Sequence, residues 1–443
     1  MRDGKRVIGS EQLTMDNKNK YKKTELGKIP VDWEIKKLKQ ISNGNCEYGI
    51  NAPAKEYEEN SPRYLRITDI GNDYNLLDSD KKSVNADEEE IKRYFLKEND
   101  IVFARTGNTT GKSYLYNKKD GLLVFAGFLI KFSINNKIYE PKFLKYYVQT
   151  DYYWNWVKKM SLRSGQPGIN SKEYSSLLVL VPPLKEQQKI AAILSTVDEY
   201  IEQTDALIEK IKELKKGLMQ KLITKGIGHT EFKKTEIGEI PVDWEVKKLG
   251  DLGSTYNGLS GKNKDDFGRG KPFIPYKNIF DNSKIDINYL DHVVIKENEN
   301  QNKVKYGDIF FTTSSETPEE VGMSSVILDE VDELYLNSFC FGFRLNDFNT
   351  LIPEFARYLF RGNEIRKKIS RLAQGSTRFN LSKTQLLKIY IPIPPLKEQQ
   401  KIASILSEVD NKIQQYELKK EKLQNLKKGL MQKLLTGKIR VKI

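Results

Sequence analysis

Residues 107–113 read GNTTGKS, a glycine-bounded loop ending in lysine and serine, and those residue types can wrap a phosphate with amides and an ammonium group. A Walker A loop needs four residues between its glycines and a helix directly after it, whereas this run has three and continues YLYN, so ATP binding is not expected here. PVDWEIK at 30–36 and PVDWEVK at 241–247 each hold an aspartate and an E-x-K, the elements of a metal-dependent nuclease. Their carboxylates stand only two residues apart, too close for the usual two-strand arrangement, and both stretches read as structural. His229 and His292 are the only histidines, and neither has a neighbouring nucleophile or carboxylate set for general-base chemistry, so both read as incidental. The two cysteines, Cys46 and Cys340, form no C-x-x-C or Cys/His cluster for zinc and no disulfide framework. No glycine-rich nucleotide loop follows a strand, and no NPPY-like or DPPY-like motif of an amino-methyltransferase occurs. The chain reads as non-catalytic.

What the chain does hold is a duplication. PPLKEQQKIAAILS at 182–195 returns with one substitution as PPLKEQQKIASILS at 394–407; KKTELGKIPVDWEIKKL at 22–38 returns as KKTEIGEIPVDWEVKKL at 233–249; GLMQKLIT at 217–224 returns as GLMQKLLT at 429–436. A period above 200 residues means two domains, not a solenoid. Between these blocks the halves diverge, as one scaffold presenting two different loop surfaces would.

The elements that must position those surfaces follow from local pattern. Asp32 and Asp243 are placed to cap short helices carrying Leu38 and Leu249, with Trp33 and Trp244 as core anchors. β-Branched and aromatic runs such as DIVFART (100–106), LLVFAGFLIKF (122–132), DIFFTTS (308–314) and FCFGFRL (339–345) predict strands. Pro141 and Pro353 each open an amphipathic helix. From Leu184 and Leu396 the pattern becomes helical for about 38 residues, roughly 57 Å at the α-helical rise. Apolar residues there fall three and four apart, interrupted by Thr204, and both helices share a short step, Ile211 to Leu214 and Leu423 to Leu426, read as a matched irregularity.

The expected fold class is α+β: two globular α/β domains in tandem repeat, separated by two long helices packed as an antiparallel coiled coil. The expected boundaries are a loose tail over 1–21, with Met15 as an alternative start, a first domain over 22–181, a first helix over 182–225, a linker over 226–232, a second domain over 233–393, a second helix over 394–436 and a tail over 437–443.

Lysine plus arginine exceed aspartate plus glutamate by 14, which favours a polyanionic partner, most often nucleic acid. The first long helix, with seven basic and seven acidic side chains over 184–224, is a spacer or docking surface in preference to a phosphate stripe. No apolar run reaches membrane-spanning length and no signal sequence opens the chain, so a cytoplasmic, reducing location without membrane contact is expected.

Two copies of IP-x-x-W, a D-I-x-F-x-x-T/S segment in each half, and a PPLKEQQKI helix ending in GLMQKL resemble, in order and over nearly the whole chain, the specificity subunit of type I restriction-modification systems. The resemblance implies target-recognition domains that each read one half of an asymmetric, bipartite double-stranded DNA site, and a helix pair that sets the gap. It implies no catalytic residues, cofactor or metal in this chain. AdoMet belongs to two methyltransferase subunits, and ATP and Mg²⁺ to two restriction subunits. An orphan two-headed DNA-binding or bridging protein without enzymatic partners is the alternative.

On that resemblance, loops after two equivalent strands are the candidate DNA-binding sites. In the first domain these are Arg105, Thr106, Asn108, Thr109, Lys112 and Tyr114, with Arg163, Ser164, Gln166 and Asn170 in a second loop. In the second they are Thr312, Thr313, Ser314 and Ser315, with Gln374, Ser376, Thr377, Arg378 and Asn380. Arginine suits guanine edges, asparagine and glutamine suit adenine, and serine and threonine suit phosphates or either base, although the small polar types are also those that turns favour. Lys262, Lys264, Arg269 and Lys271 offer a phosphate-binding loop; Arg66, Tyr276 and Lys277 are weaker candidates.

Overall fold

Pro30 and Pro241 end short hairpins, Tyr21–Thr24 with Gly27–Pro30 and Phe232–Thr235 with Gly238–Pro241, and the turn after each drops a tryptophan into the core. The computed structural model describes residues 13–14, 21–163 and 165–443. Most of the tail expected over 1–21, Met15 included, lies outside the described residues.

The chain divides into two units: Met1–Thr204 with Lys419–Ile443, and Asp205–Leu418. In the first, an antiparallel four-stranded sheet has the order Ser113–Leu115, Asp100–Ala104, Leu129–Ile134, Ser42–Tyr48. In the second, the equivalent sheet has the order Ser324–Val326, Ile309–Thr312, Cys340–Leu345, Gly253–Asn257, the same arrangement built from largely different residues. A second sheet in each unit contains a parallel pairing, of Leu123–Phe125 with Arg63–Leu65 and of Tyr335–Leu336 with Phe267–Ile274. Pro141–Tyr147 and Pro353–Leu359 are helices opened by their prolines.

Trp33 and Trp244 are fully buried, and each indole donates to the glutamate at the start of a long helix, Glu186 Oε2 at 3.0 Å and Glu398 Oε2 at 2.9 Å. Asp32 and Asp243 cap no helix. The strands Glu34–Lys37 and Glu245–Lys248 intervene, pairing with Leu178–Val181 and Tyr390–Ile393, and the following turns of helix start after Lys37 and Lys248. Trading a cap for a strand satisfies the amides in a ladder instead.

The long helices span Leu184–Lys225 and Leu396–Leu434, and each contributes one part to each unit. Within the first unit Lys427 Nζ meets Asp198 Oδ1 at 2.7 Å; within the second Lys215 Nζ meets Asp410 Oδ1 at 2.5 Å and Lys212 meets Glu417 at 3.4 Å. Rising numbers on one helix meet falling numbers on the other, so in the second unit the two run antiparallel.

The matched irregularity expected at Leu214 and Leu426 is absent. Both leucines face solvent, at 55% and 46% exposure, and the neighbouring lysines take the seam. The inward positions are Ile190, Leu194, Val197, Ile201, Thr204, Ile208, Ile211, Lys215, Leu218 and Leu222, spaced four and three without a break. The second helix repeats them as Ile402, Leu406, Val409, Ile413, Tyr416, Lys420, Leu423, Lys427, Leu430 and Leu434. The apparent step came from counting apolar residues alone. Thr204 is a buried member of the row, its hydroxyl donating to Tyr200 O at 2.6 Å.

Candidate functional site

In the first unit the strand Asp100–Ala104 delivers the chain into a loop at Arg105, and the segment 165–170 is laced to it. Ile169 N donates to Arg105 O at 2.9 Å, Gly107 N to Pro167 O at 3.0 Å and Thr110 Oγ1 to the same carbonyl at 3.3 Å, while Thr106 bridges Gly168. Gly107 has φ +72°, and a Cβ there would stand 3.0 Å from Gln166 Nε2, so glycine lets the two loops close. The two loops singled out from sequence therefore form one surface.

Its side chains are not all available. Arg105 Nε donates to Gly127 O at 3.1 Å, and its guanidinium lies 5.0 Å from the Tyr48 ring centre and 5.8 Å from that of Phe128, a posture that leaves its other nitrogens for a ligand. Asn108 and Gln166 are exposed; Thr106 and Thr109 are half-buried. Tyr114 is buried in the core with its hydroxyl on Asp120 at 2.5 Å, and burial pushes its pKa well up. Lys112 turns inward to Ile70 O at 3.0 Å, and a strand, not a helix, follows it, so GNTTGKS is no phosphate loop. Arg163 is held by Glu173 at 2.5 Å, and Asn170 caps the helix Ser171–Ser175 by accepting from Glu173 N at 3.0 Å. Ser164 lies outside the described residues.

The second unit repeats the lacing with other residues. Leu381 N donates to Thr313 O at 2.8 Å, Ser314–Ser315 pairs with Phe379–Asn380, and Gln374 and Asn380 exchange backbone bonds at 3.0 and 2.8 Å to close a hairpin. Gln374, Ser376, Thr377, Arg378 and Asn380 are exposed on that hairpin, and Thr313 and Ser314 are half-buried. Thr312 is wholly buried, its hydroxyl accepting from Met323 N at 3.0 Å, and Ser315 is nearly so, donating to Glu320 at 2.8 Å. These two serve the scaffold.

A cleft of about 420 Å³ opens beside the hairpin, lined by Tyr276, Phe280, Ser314, Ser315, Glu316, Glu320, Phe339 and Arg378. Tyr276 donates to Ser314 O at 2.9 Å and stacks on Phe280. Two half-buried arginines hold its walls: Arg361 donates to the carbonyls of Ile279, Phe280 and Asn282 at 2.7, 2.9 and 2.8 Å, and Arg366 to those of Gly322, Val321 and Glu319 at 2.5, 2.6 and 2.7 Å. Burial pushes the pKa of both down to about 10. Sequence reasoning missed both, along with Phe128 and Phe339; an apolar residue in a small-residue turn, AGF or NSF, was the available signal for the last two.

Of the weaker candidates, Lys262 is buried on Glu299 and Val294 O, Lys271 pairs with Glu333 at 2.5 Å, and Arg66 pairs with Asp69 at 2.7 Å and Asp80 at 3.0 Å. Lys264, Arg269 and Lys277 are exposed. His229 is not incidental: its Nε2 meets Glu398 at 2.9 Å, beneath Trp244, where it helps hold the start of the second long helix. Among the described residues no group of three or more His, Cys, Asp or Glu side chains could hold a metal ion, and no helix is long and apolar enough to cross a membrane.

Comparison with known proteins gives one consistent result. The family model described as "Type I restriction modification DNA specificity domain" matches twice, at 30–213 and 241–428. The type I restriction enzyme MjaVIII specificity subunit of Methanocaldococcus jannaschii is 31% identical over 94% of this chain and 95% of its own. Among solved structures, the type I restriction-modification system S subunit from M. genitalium is similar with a TM-score of 0.56 at 16% identity, covering 91% of this chain and 96% of that one.

Proposed function

Because the chain belongs to the type I restriction-modification DNA specificity family, we propose that each of its two units reads one half of a split, asymmetric double-stranded DNA site. One observation carries this reading. The same sheet order and the same loop-to-strand hydrogen bonds present unlike side chains, Arg105 with Asn108 and Gln166 in one unit, Gln374 with Thr377 and Arg378 in the other. Equal frames with unequal readers suit two different half-sites.

In this reading the exposed and half-buried loop side chains divide the work. Arg105, Arg378, Asn108, Gln166, Gln374 and Asn380 reach base edges, and Thr106, Thr109, Thr313, Ser314, Ser376 and Thr377 reach phosphates or either base. The domains are those bounded at 22–181 and 233–393. The helices over 182–225 and 394–436 set the spacer and dock two methyltransferase subunits. Those subunits bring AdoMet, two restriction subunits bring ATP and Mg²⁺, and this chain contributes recognition alone.

The test is a pull-down of the tagged chain from its native cell, followed by methylation of genomic DNA with the recovered complex and AdoMet. Recovery of a methyltransferase and adenine methylation at one split, asymmetric motif is expected. Sequence-selective binding without any such partner would instead support an orphan DNA-binding protein.

A further inference from the structure

Phe128 and Phe339 stand at the same point of their units, each the last residue of a tight turn between the parallel-paired strand and the central strand of the main sheet. Both rings face solvent, at 53% and 63% exposure, although Leu129, Ile130 and Phe132 on the strand after the first, and Phe341 and Phe343 on the strand after the second, are buried. The turn itself is firm. Arg105 N donates to Phe128 O at 3.0 Å and Thr313 N to Phe339 O at 2.9 Å, so the first residue of each candidate loop fixes the carbonyl of the aromatic residue. Leu129 N also closes the first turn on Ala126 O at 2.8 Å, and Asn337 Oδ1 accepts from Phe339 N at 2.9 Å in the second. Each ring shares its surface with an arginine: the Arg105 guanidinium lies 5.8 Å from the Phe128 ring centre, and Arg378 lines the same cleft as Phe339.

A rigidly presented ring flanked by a cation is the pairing that a stacked, phosphate-bearing polymer accepts, the cation meeting phosphate and the ring entering the base stack. Resting on the DNA-reading role given above, we propose that Phe128 and Phe339 are equivalent wedges, each inserted at one base step of its own half-site. The duplication kept the wedge while the readers beside it diverged. Recognition in each half then includes how readily the wedged step unstacks.

The test uses the full chain with its co-purified methyltransferase and duplexes carrying the methylated motif, with 2-aminopurine placed in turn at each step of both half-sites other than the methylated adenines and their neighbours, which the methyltransferase itself unstacks by base extrusion. Wild-type complex should raise the fluorescence at one step in each half. Phe128→Ala should abolish the rise in one half only and weaken binding about 10- to 100-fold, and Phe339→Ala should do the same in the other half. The untouched half serves as the control for folding. Unstacking that survives both substitutions, or wild-type binding that is selective yet leaves every step stacked, overturns the wedge alone. Loss of methyltransferase co-purification in the variants, with stacking unchanged, overturns it in favour of a protein-docking role. Absence of selective binding by wild-type complex would instead defeat the DNA-reading role itself.

Discussion

Arg105 is a loop cation whose posture is constrained by Gly127 O and by two aromatic rings while its remaining nitrogens are left for a ligand. Such preorganisation lowers the entropy lost on binding, and a good arginine contact to guanine discriminates by about 1–3 kcal/mol. Arg105→Ala should therefore weaken binding about 10- to 100-fold through one half-site only, measured on duplexes with either half scrambled. Equal loss on every duplex, with a shallower salt dependence, would make it a phosphate contact. A second expectation concerns the thiols. Cys340 is 2% exposed and burial pushes its pKa up to about 12, whereas Cys46 is half-buried near Ser175. An alkylating reagent at neutral pH should label Cys46 alone until the chain is denatured; two labels on native protein would contradict the burial. At this scale the sequence located the loops but not the outward side chains. Glycine, asparagine, serine and threonine mark a turn for backbone reasons, and they do not say where strand alternation stops. Thr312 is the last strand residue and faces in, while Thr313, one step on, begins the loop. Phe128 and Phe339 were hidden for the converse reason, since their runs looked like uninterrupted strand.

The long helices were the most legible elements, because a 3.5-residue apolar period sustained over some 40 residues has few other meanings. Their polar seam residues were not legible from an apolar count, and these set the fit. Asp198 accepts from Lys427 at 2.7 Å and Tyr146 at 2.8 Å; Asp410 accepts from Lys215 at 2.5 Å, Arg357 at 2.7 Å and Tyr358 at 2.8 Å. The side chains of Asp198 and Asp410 are 18% and 17% exposed, so removing either carboxylate strands partly buried donors without a counter-charge. Asp410→Ala should destabilise the second unit by about 3–5 kcal/mol, and Asp198→Ala the first by less, because Asp410 holds one more cation. Urea unfolding followed through Trp244, the one tryptophan of the second unit's sequence, reports the former. An unchanged midpoint would show the network to be dispensable. The segments after the helices play matched parts that the divergent sequence concealed. Arg440 binds Glu186 at 2.7 Å and Asp32 at 2.7 Å in the first unit, and His229 takes the corresponding place on Glu398 in the second.

At the scale of the whole chain, the duplication was plain in the sequence because three blocks recur at nearly one displacement, and the loss of similarity between them was itself a sign of unlike surfaces. What a sequence cannot display is a length in use. If the helices act as a ruler, the preferred spacer should change with helix length while the half-sites stay the same. Four residues inserted into each helix, after Ala206 and after Leu418, leave the Lys427–Asp198 and Lys215–Asp410 pairs within their own units. Four residues are close to one turn, so the apolar seam keeps its face, and each helix lengthens by about 6 Å. That is close to two base pairs at 3.4 Å each. Methylation motifs mapped with the variant should retain both half-sites and gain about two base pairs between them. A motif with its spacer unchanged would remove the ruler role from the helices and assign the gap to the partner subunits; altered half-sites would show that the insertions had disturbed the loops themselves.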